Sequence, residues 1–213
     1  MNIVFAIFKY FPHGGLQRDM MRIAEALLDR GDRVTVFCHL WDDDSPLPEG
    51  LEVRKLPARG FSNHARAESF IRNLGKALEE FPHDRFVAFN RMPGADLYFA
   101  ADNPFYRTAI RNVGRLGSRL LPRYRTFIAE ERSVFSPEAK TMILHLTERQ
   151  KREYMAIYHT PKERFRLLPP GIPADRRRPD DEDEAAARRE AKRREIGIAA
   201  KSPKPFWLFL TAS

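Results

Sequence analysis

The chain is short of most features that would assign it quickly. Among 213 residues there is a single cysteine, Cys38. It excludes an internal disulfide and leaves no cysteine cluster for zinc. Cys38 sits in the apolar run 34–38 and is expected to be a packed strand residue rather than a reactive thiol. The six histidines show no HxH or HxxxH spacing, so no metal is assigned. No stretch approaches the roughly 20 apolar residues of a membrane span. The N-terminus lacks a basic segment and a small-residue cleavage site, so no signal peptide is read. There is no Walker motif, nucleophile elbow, GxGxxG fingerprint or internal repeat. The run Asp42-Asp43-Asp44 contains an Asp-x-Asp, but in a polar loop it is expected to be a solvated charge run.

What is abundant is positive charge. Thirty-seven Lys and Arg against 29 Asp and Glu give a formal net charge of +8. A polyanionic partner follows from that, whether nucleic acid, acidic phospholipid or a phosphorylated sugar. No recognised nucleic-acid motif accompanies the charge, and nucleic acid is not taken as a partner.

The order of segments predicts the fold class. Residues 3–8 form a short continuous apolar run, as in a strand buried on both faces. Residues 16–30 switch to helical spacing, with Met20, Ile23, Ala24, Leu27 and Leu28 on one face and Gly31 as the stop. Residues 34–38 are a second strand, so the chain opens β-α-β with a right-handed crossover. Further strands are expected over 51–56, 86–90, 96–100, 141–146 and 165–168. Helices are expected over 65–81 and up to 158, the latter started by a capping-box pair, Thr147 and Gln150. This alternation predicts an α/β, Rossmann-like, doubly wound parallel sheet over residues 1–172. Residues 173–200 read as a charged linker or helix, with Glu184/Arg188 and Glu190/Arg194 at i,i+4. Residues 201–213 carry a new apolar strand and then stop. The expectation is one whole domain and the first strand of a truncated second one.

Two segments carry candidate chemistry. The first strand runs through Gly14-Gly15 straight into a helix, which places bare N–H groups and a positive helix end at the carboxyl edge of the sheet, a site for phosphate. Arg18 and Asp19 are expected in the first helical turn. Asp19 is open to two readings, a residue that satisfies the helix dipole or a carboxylate that orients a sugar hydroxyl. The second segment, residues 104–127, holds six arginines and no acid. Arg107, Arg111, Arg115 and Arg119 recur every four residues and form a stripe on a helix, with Arg123 and Arg125 beyond it. A basic stripe beside bulky apolar residues suits an anionic membrane interface, where each arginine contributes about 1 kcal/mol. A solvated face is the competing reading, and Gly114 and Gly117 are potential breaks.

Five stretches resemble one family in order along the chain. They are KYFPxGGLQRD at 9–19, SNHARxE at 62–68, FNRMPGADLYFAAD at 89–102, ERF at 163–165 and LPPGIxxDRR at 168–177. These words resemble the lipopolysaccharide core glucosyltransferase I enzymes, heptose-directed members of glycosyltransferase family 4 with the GT-B fold. The resemblance implies two Rossmann-like domains facing a cleft, of which this chain would hold the N-terminal one. It implies retaining transfer of glucose from UDP-glucose to a heptose of the lipopolysaccharide inner core, without cofactor, by an enzyme peripheral to the cytoplasmic face of the inner membrane. Backbone amides and basic side chains would neutralise the departing diphosphate. Gly14 and Gly15 would meet the donor phosphate, with Arg176. Asp19 would lie by the reacting sugar as the catalytic candidate. Arg18, Asn63, His64 and Asp102 would line the acceptor side. The family's principal donor-binding residues lie beyond residue 213, so the chain by itself is expected to be inactive. A non-catalytic module binding a sugar phosphate or anionic lipid is the alternative, and a nucleic-acid-binding Rossmann domain a third.

Overall fold

The first apolar run becomes an interior strand of a seven-stranded parallel sheet. The computed structural model describes residues 1–42, 47–169, 180–195 and 197. The chain divides into two units, Met1–Pro170 and Gly171–Ser213. In the first, the strands are β1 (Asn2–Tyr10), β2 (Arg33–Trp41), β3 (Leu51–Lys55), β4 (Arg85–Ala88), β5 (Leu97–Ala100), β6 (Met142–His145) and β7 (Phe165–Leu167). Their spatial order is β3-β2-β1-β4-β5-β6-β7, and every adjacent pair is parallel. The helices are α1 (Gly15–Asp29), α2 (Asn63–Glu80), α3 (Phe105–Leu120), α4 (Pro122–Phe135) and α5 (Glu148–Tyr158).

Strand β1 shows why its sequence is apolar without alternation. Val4 and Ala6 pack into one core with Phe70, Phe86 and Tyr98. Ile3, Phe5 and Ile7 pack into a second core on the opposite face with Met20 and Phe89. Successive side chains point to opposite faces, so both registers must be apolar when both faces are covered.

Local sequence accounts for several boundaries. Gly31 has φ 86°, and the N–H groups of Gly31 and Asp32 donate to Leu28 O and Leu27 O, closing α1 in a Schellman arrangement. The Ser62 hydroxyl accepts from Ala65 N (3.3 Å), starting α2 two residues before its periodicity suggests. β4 and β5 are parallel neighbours joined by only eight residues, 89–96, whereas such crossovers usually need a dozen or more. Asp96 makes the short connection possible. Its carboxylate accepts from Phe86 N (2.8 Å) and its own N–H donates to Phe86 O (2.9 Å).

The arginine segment differs from the single striped helix. Gly114 adopts φ 68°, ψ 177°, which breaks α3, and a separate α4 begins at Pro122. Arg107 and Arg111 precede the break, Arg115 and Arg119 follow it, and Arg123 and Arg125 lie on α4. The four-residue spacing is therefore not one continuous helical stripe, because the helical phase is reset at Gly114.

Of the second unit, α6 (Glu182–Glu195) is described; its Arg188 pairs with Glu184 at 2.9 Å. Arg176, Asp43, Asp44 and the expected strand within 201–213 lie outside the described residues.

Candidate active site

The strand order reverses direction between β1 and β4, with β2 and β3 to one side and β5 to β7 to the other. At such a switch point the loops leaving the carboxyl ends diverge and leave a crevice. A cavity of about 540 Å³ lies there. Phe8 and Lys9 from β1 line it, with Asn90, Arg91 and Met92 from the loop after β4 and Asp102 from the loop after β5. Helix α2 contributes Asn63, Arg66 and Phe70, and α4 contributes Phe127 and Glu130. The walls thus combine an apolar side with a polar and charged rim.

Two of the expected acceptor-side residues, Asn63 and Asp102, meet in this cavity. His64 does not. It follows Asn63 on α2 and lines a neighbouring depression with Glu68, Arg125 and Thr126, its Nε2 3.2 Å from Ser62 Oγ. Consecutive helical residues point about 100° apart, which sends the two side chains to different depressions. The loop bearing Asp102 is fixed by α5. Gln150 Nε2 donates to Ala100 O (2.6 Å) and Asp102 O (2.7 Å), and Tyr154 Oη donates to Asp102 O (3.0 Å). The sequence pattern around Thr147 and Gln150 is thus half a capping box. Thr147 Oγ1 accepts from Gln150 N (3.2 Å), while the Gln150 side chain accepts from Leu146 N and spends its donors on the Asp102 loop.

Gly14, Gly15, Arg18 and Asp19 stand at the end of β1 but are not among the cavity walls. Gly14 is the N-cap of α1 in extended conformation, φ −77°, ψ 141°, with no side-chain cap. Neither glycine has positive φ, so backbone handedness does not explain them. Gly14 is instead pressed by the Gln17 amide and the Phe11 ring, where a Cβ would come within 2.9 Å of the ring. A Cβ on Gly15 would meet nothing within 4 Å, so open space lies beside the first turn of α1. Arg18 is exposed. Asp19 lies one residue beyond the first turn, which contains no acid, and its carboxylate is 3.8 Å from Arg22.

A buried polar cluster beneath the cavity went unread in the sequence. Glu131 of α4 is fully buried. Its Oε1 accepts from Phe105 N (2.6 Å) and its Oε2 from Tyr106 N (2.9 Å) and the Tyr158 hydroxyl. Arg91 places Nε 3.1 Å from Glu131 Oε1, and its Nη2 donates to Asn103 O (2.9 Å). The carboxylate therefore caps α3 from a distance of 25 residues in sequence. Burial, with Glu131 beside it, holds the Tyr158 phenol protonated far above its ordinary range. Glu130, next in sequence and facing the cavity, is pushed up from 4.5 to about 7 by burial, with Glu68 adding to the shift and Arg91 opposing it.

Near the surface, Arg115, Arg119, Arg125 and Arg132 surround a depression of about 450 Å³ between α3 and α4. None of these four pairs with a carboxylate among the described residues. Leu116 and Leu120 beside them are 71% and 64% exposed. Arg107 differs, lying 3.6 Å from Glu153 of α5. No helix among the described residues is long and apolar enough to cross a membrane. No group of three or more metal-ligating side chains occurs among them.

Three comparisons bear on this geometry. The family described as Glycosyltransferase Family 4 matches residues 13–176. Lipopolysaccharide glucosyltransferase WaaG of Escherichia coli strain K12 is 41% identical over 177 residues, covering 83% of this chain and 46% of that protein. The crystal structure of WaaG, a glycosyltransferase involved in lipopolysaccharide biosynthesis, superposes with a TM-score of 0.81 at 38% identity, covering 93% of this chain and 52% of that one. The chain thus spans about half the length of the relatives it matches.

Proposed function

The chain belongs to Glycosyltransferase Family 4, and from that premise we propose that it forms the acceptor-side domain of a retaining glycosyltransferase. The reaction moves glucose from UDP-glucose to a heptose of the lipopolysaccharide inner core. The observation that carries this is the switch-point cavity with Asn63 and Asp102 in its walls, beside an uncapped helix N-terminus. A sugar ring has apolar C–H faces and a polar rim, which the two sides of the cavity complement.

In this proposal the free N–H groups at Gly15 and the turn after it receive a donor phosphate, with the open space at Gly15 admitting its oxygens. Gly14 shapes that turn, and Arg176 is assigned to the diphosphate by the family resemblance. Asn63 and Asp102 hold acceptor hydroxyls, and Arg18 stands at the acceptor entrance. Asp19, half-buried and only loosely held by Arg22, is available to a sugar hydroxyl. Neutralising the leaving diphosphate with amides and basic side chains lowers the barrier where charge develops.

Docking to anionic phospholipid at the cytoplasmic face of the inner membrane belongs to the same proposal. Arg107, Arg111, Arg115, Arg119, Arg123 and Arg125 are all exposed, and Leu116, Leu120 and Leu121 are exposed among them. This combination supports reversible interfacial binding, with apolar side chains entering the headgroup layer and arginines meeting phosphates.

The test is sugar transfer by the reading frame that encodes this chain, with UDP-glucose as donor and heptose-terminated core lipopolysaccharide as acceptor. A glucosylated product is expected. A folded protein that binds UDP without making product moves the donor or the acceptor elsewhere.

A further inference from the structure

Adjacent glutamates on α4 have contrasting surroundings. Glu131 is held by two backbone N–H groups, a phenol and an arginine. Glu130 has a buried Oε1 without a hydrogen-bond partner among the described residues, and it lines the switch-point cavity. A buried carboxyl oxygen with no donor costs about 1–3 kcal/mol, and native structures rarely keep one without a use.

We propose that Glu130 is a sugar-binding residue of this cavity, its carboxyl turning to an acceptor hydroxyl alongside Asn63 and Asp102. This rests on the cavity being the acceptor site. Among the described residues no hydrogen bond or ion pair uses this carboxyl, whereas Glu131 caps α3 and pairs with Arg91.

The ligand class follows from the groups facing Glu130. From α2 come Glu68 and Arg66, from the loop after β4 Arg91, from β1 Lys9, and from the loop after β5 Asp102. Arg91 is already committed to Glu131. Glu68 accepts from Thr126 Oγ1 (2.6 Å) and stays near enough to disfavour a second negative charge. Glu130 therefore holds its proton to about pH 7, well above the ordinary carboxyl range. A neutral carboxyl both donates and accepts, which matches a hydroxyl. It gives little to an ammonium group or a metal ion, which need the carboxylate. Phe70, Phe8 and Met92 on the apolar side supply the surface for a ring's C–H face.

The experiment titrates the 213-residue chain calorimetrically with a deacylated, heptose-terminated core oligosaccharide at pH 6.5. Wild type is compared with Glu130→Leu, Glu130→Gln and Asn63→Ala, each checked by thermal melting. Glu130→Leu is expected to weaken binding about fivefold, the worth of one hydrogen bond. Glu130→Gln, which keeps a donor and an acceptor, is expected to stay within about twofold. Binding weakened by Asn63→Ala but unchanged by a folded Glu130→Leu overturns the role of Glu130 and leaves the acceptor site standing. No binding of the oligosaccharide by wild type at any attainable concentration overturns the acceptor site, and this inference with it.

Discussion

Glu130 leaves a thermodynamic trace in the folded chain that needs no ligand. Its carboxyl titrates at about 7 in the native state against 4.5 ordinarily, with burial as the main cause. Below pH 4.5 both states hold the proton and the group is neutral to stability. As pH rises from 4.5 to 7 the unfolded chain releases the proton first, so the native state loses relative stability across that window. Above pH 7 the charged carboxylate costs on the order of 3 kcal/mol. Glu130→Gln removes this titration. Melting of the variant is expected to exceed that of wild type by about 6–12 °C at pH 8 and to match it closely at pH 4.5. An equal difference at both pH values would show that packing, not protonation, separates the two proteins. Glu131 behaves differently, because its removal strands Arg91 and two N–H groups of α3.

Among the elements, α3 carries the sharpest local constraint. Gly114 at φ 68°, ψ 177° occupies a region that only glycine enters cheaply, at about 1–3 kcal/mol for other residues. Gly114→Ala is therefore expected to lower the melting temperature, by about 2–8 °C. If instead helical circular dichroism rises with no loss of stability, the segment prefers to be straight and the break is not imposed by the fold. This helix also marks the boundary of what the sequence discloses. Thr147 and Gly31 bound their helices through neighbours within a few residues and were read from the sequence, whereas the equally local cap at Ser62 was passed over for the apolar spacing. The seven strands were legible as well, because a parallel sheet covered on both faces writes itself as short apolar runs. The cap of α3 is not legible, since Glu131 lies 25 residues downstream of Tyr106 and only tertiary contact brings them together. The arginine periodicity misled for a related reason, as spacing assumes one helical phase and Gly114 resets it. Asn63 and Asp102, named from shared words, line the cavity, whereas the placing of Glu130 there and of Gln150 behind the Asp102 loop depends on the fold around them.

For the molecule as a whole, the net charge of +8 is not spread evenly. Much of it is presented without counter-charge on α3 and α4, beside Leu116, Leu120 and Leu121. The chain is expected to sediment with phosphatidylglycerol vesicles and not with phosphatidylcholine vesicles. Binding should fall steeply between 0.1 M and 1 M salt, as the screening length contracts from about 10 Å to about 3 Å. Replacing Arg119 and Arg123 with serine should weaken it further, and equal binding to both vesicle types would remove the electrostatic account. The strand order has a consequence for biosynthesis. β1 is an interior strand, apolar on both faces, yet its partner β4 begins at Arg85. A ribosome adding about 5–20 residues per second delivers β4 some 4–15 s after β1. For that interval the nascent chain displays one open edge of a largely apolar strand, and the cell must keep that edge from finding another chain before its own arrives.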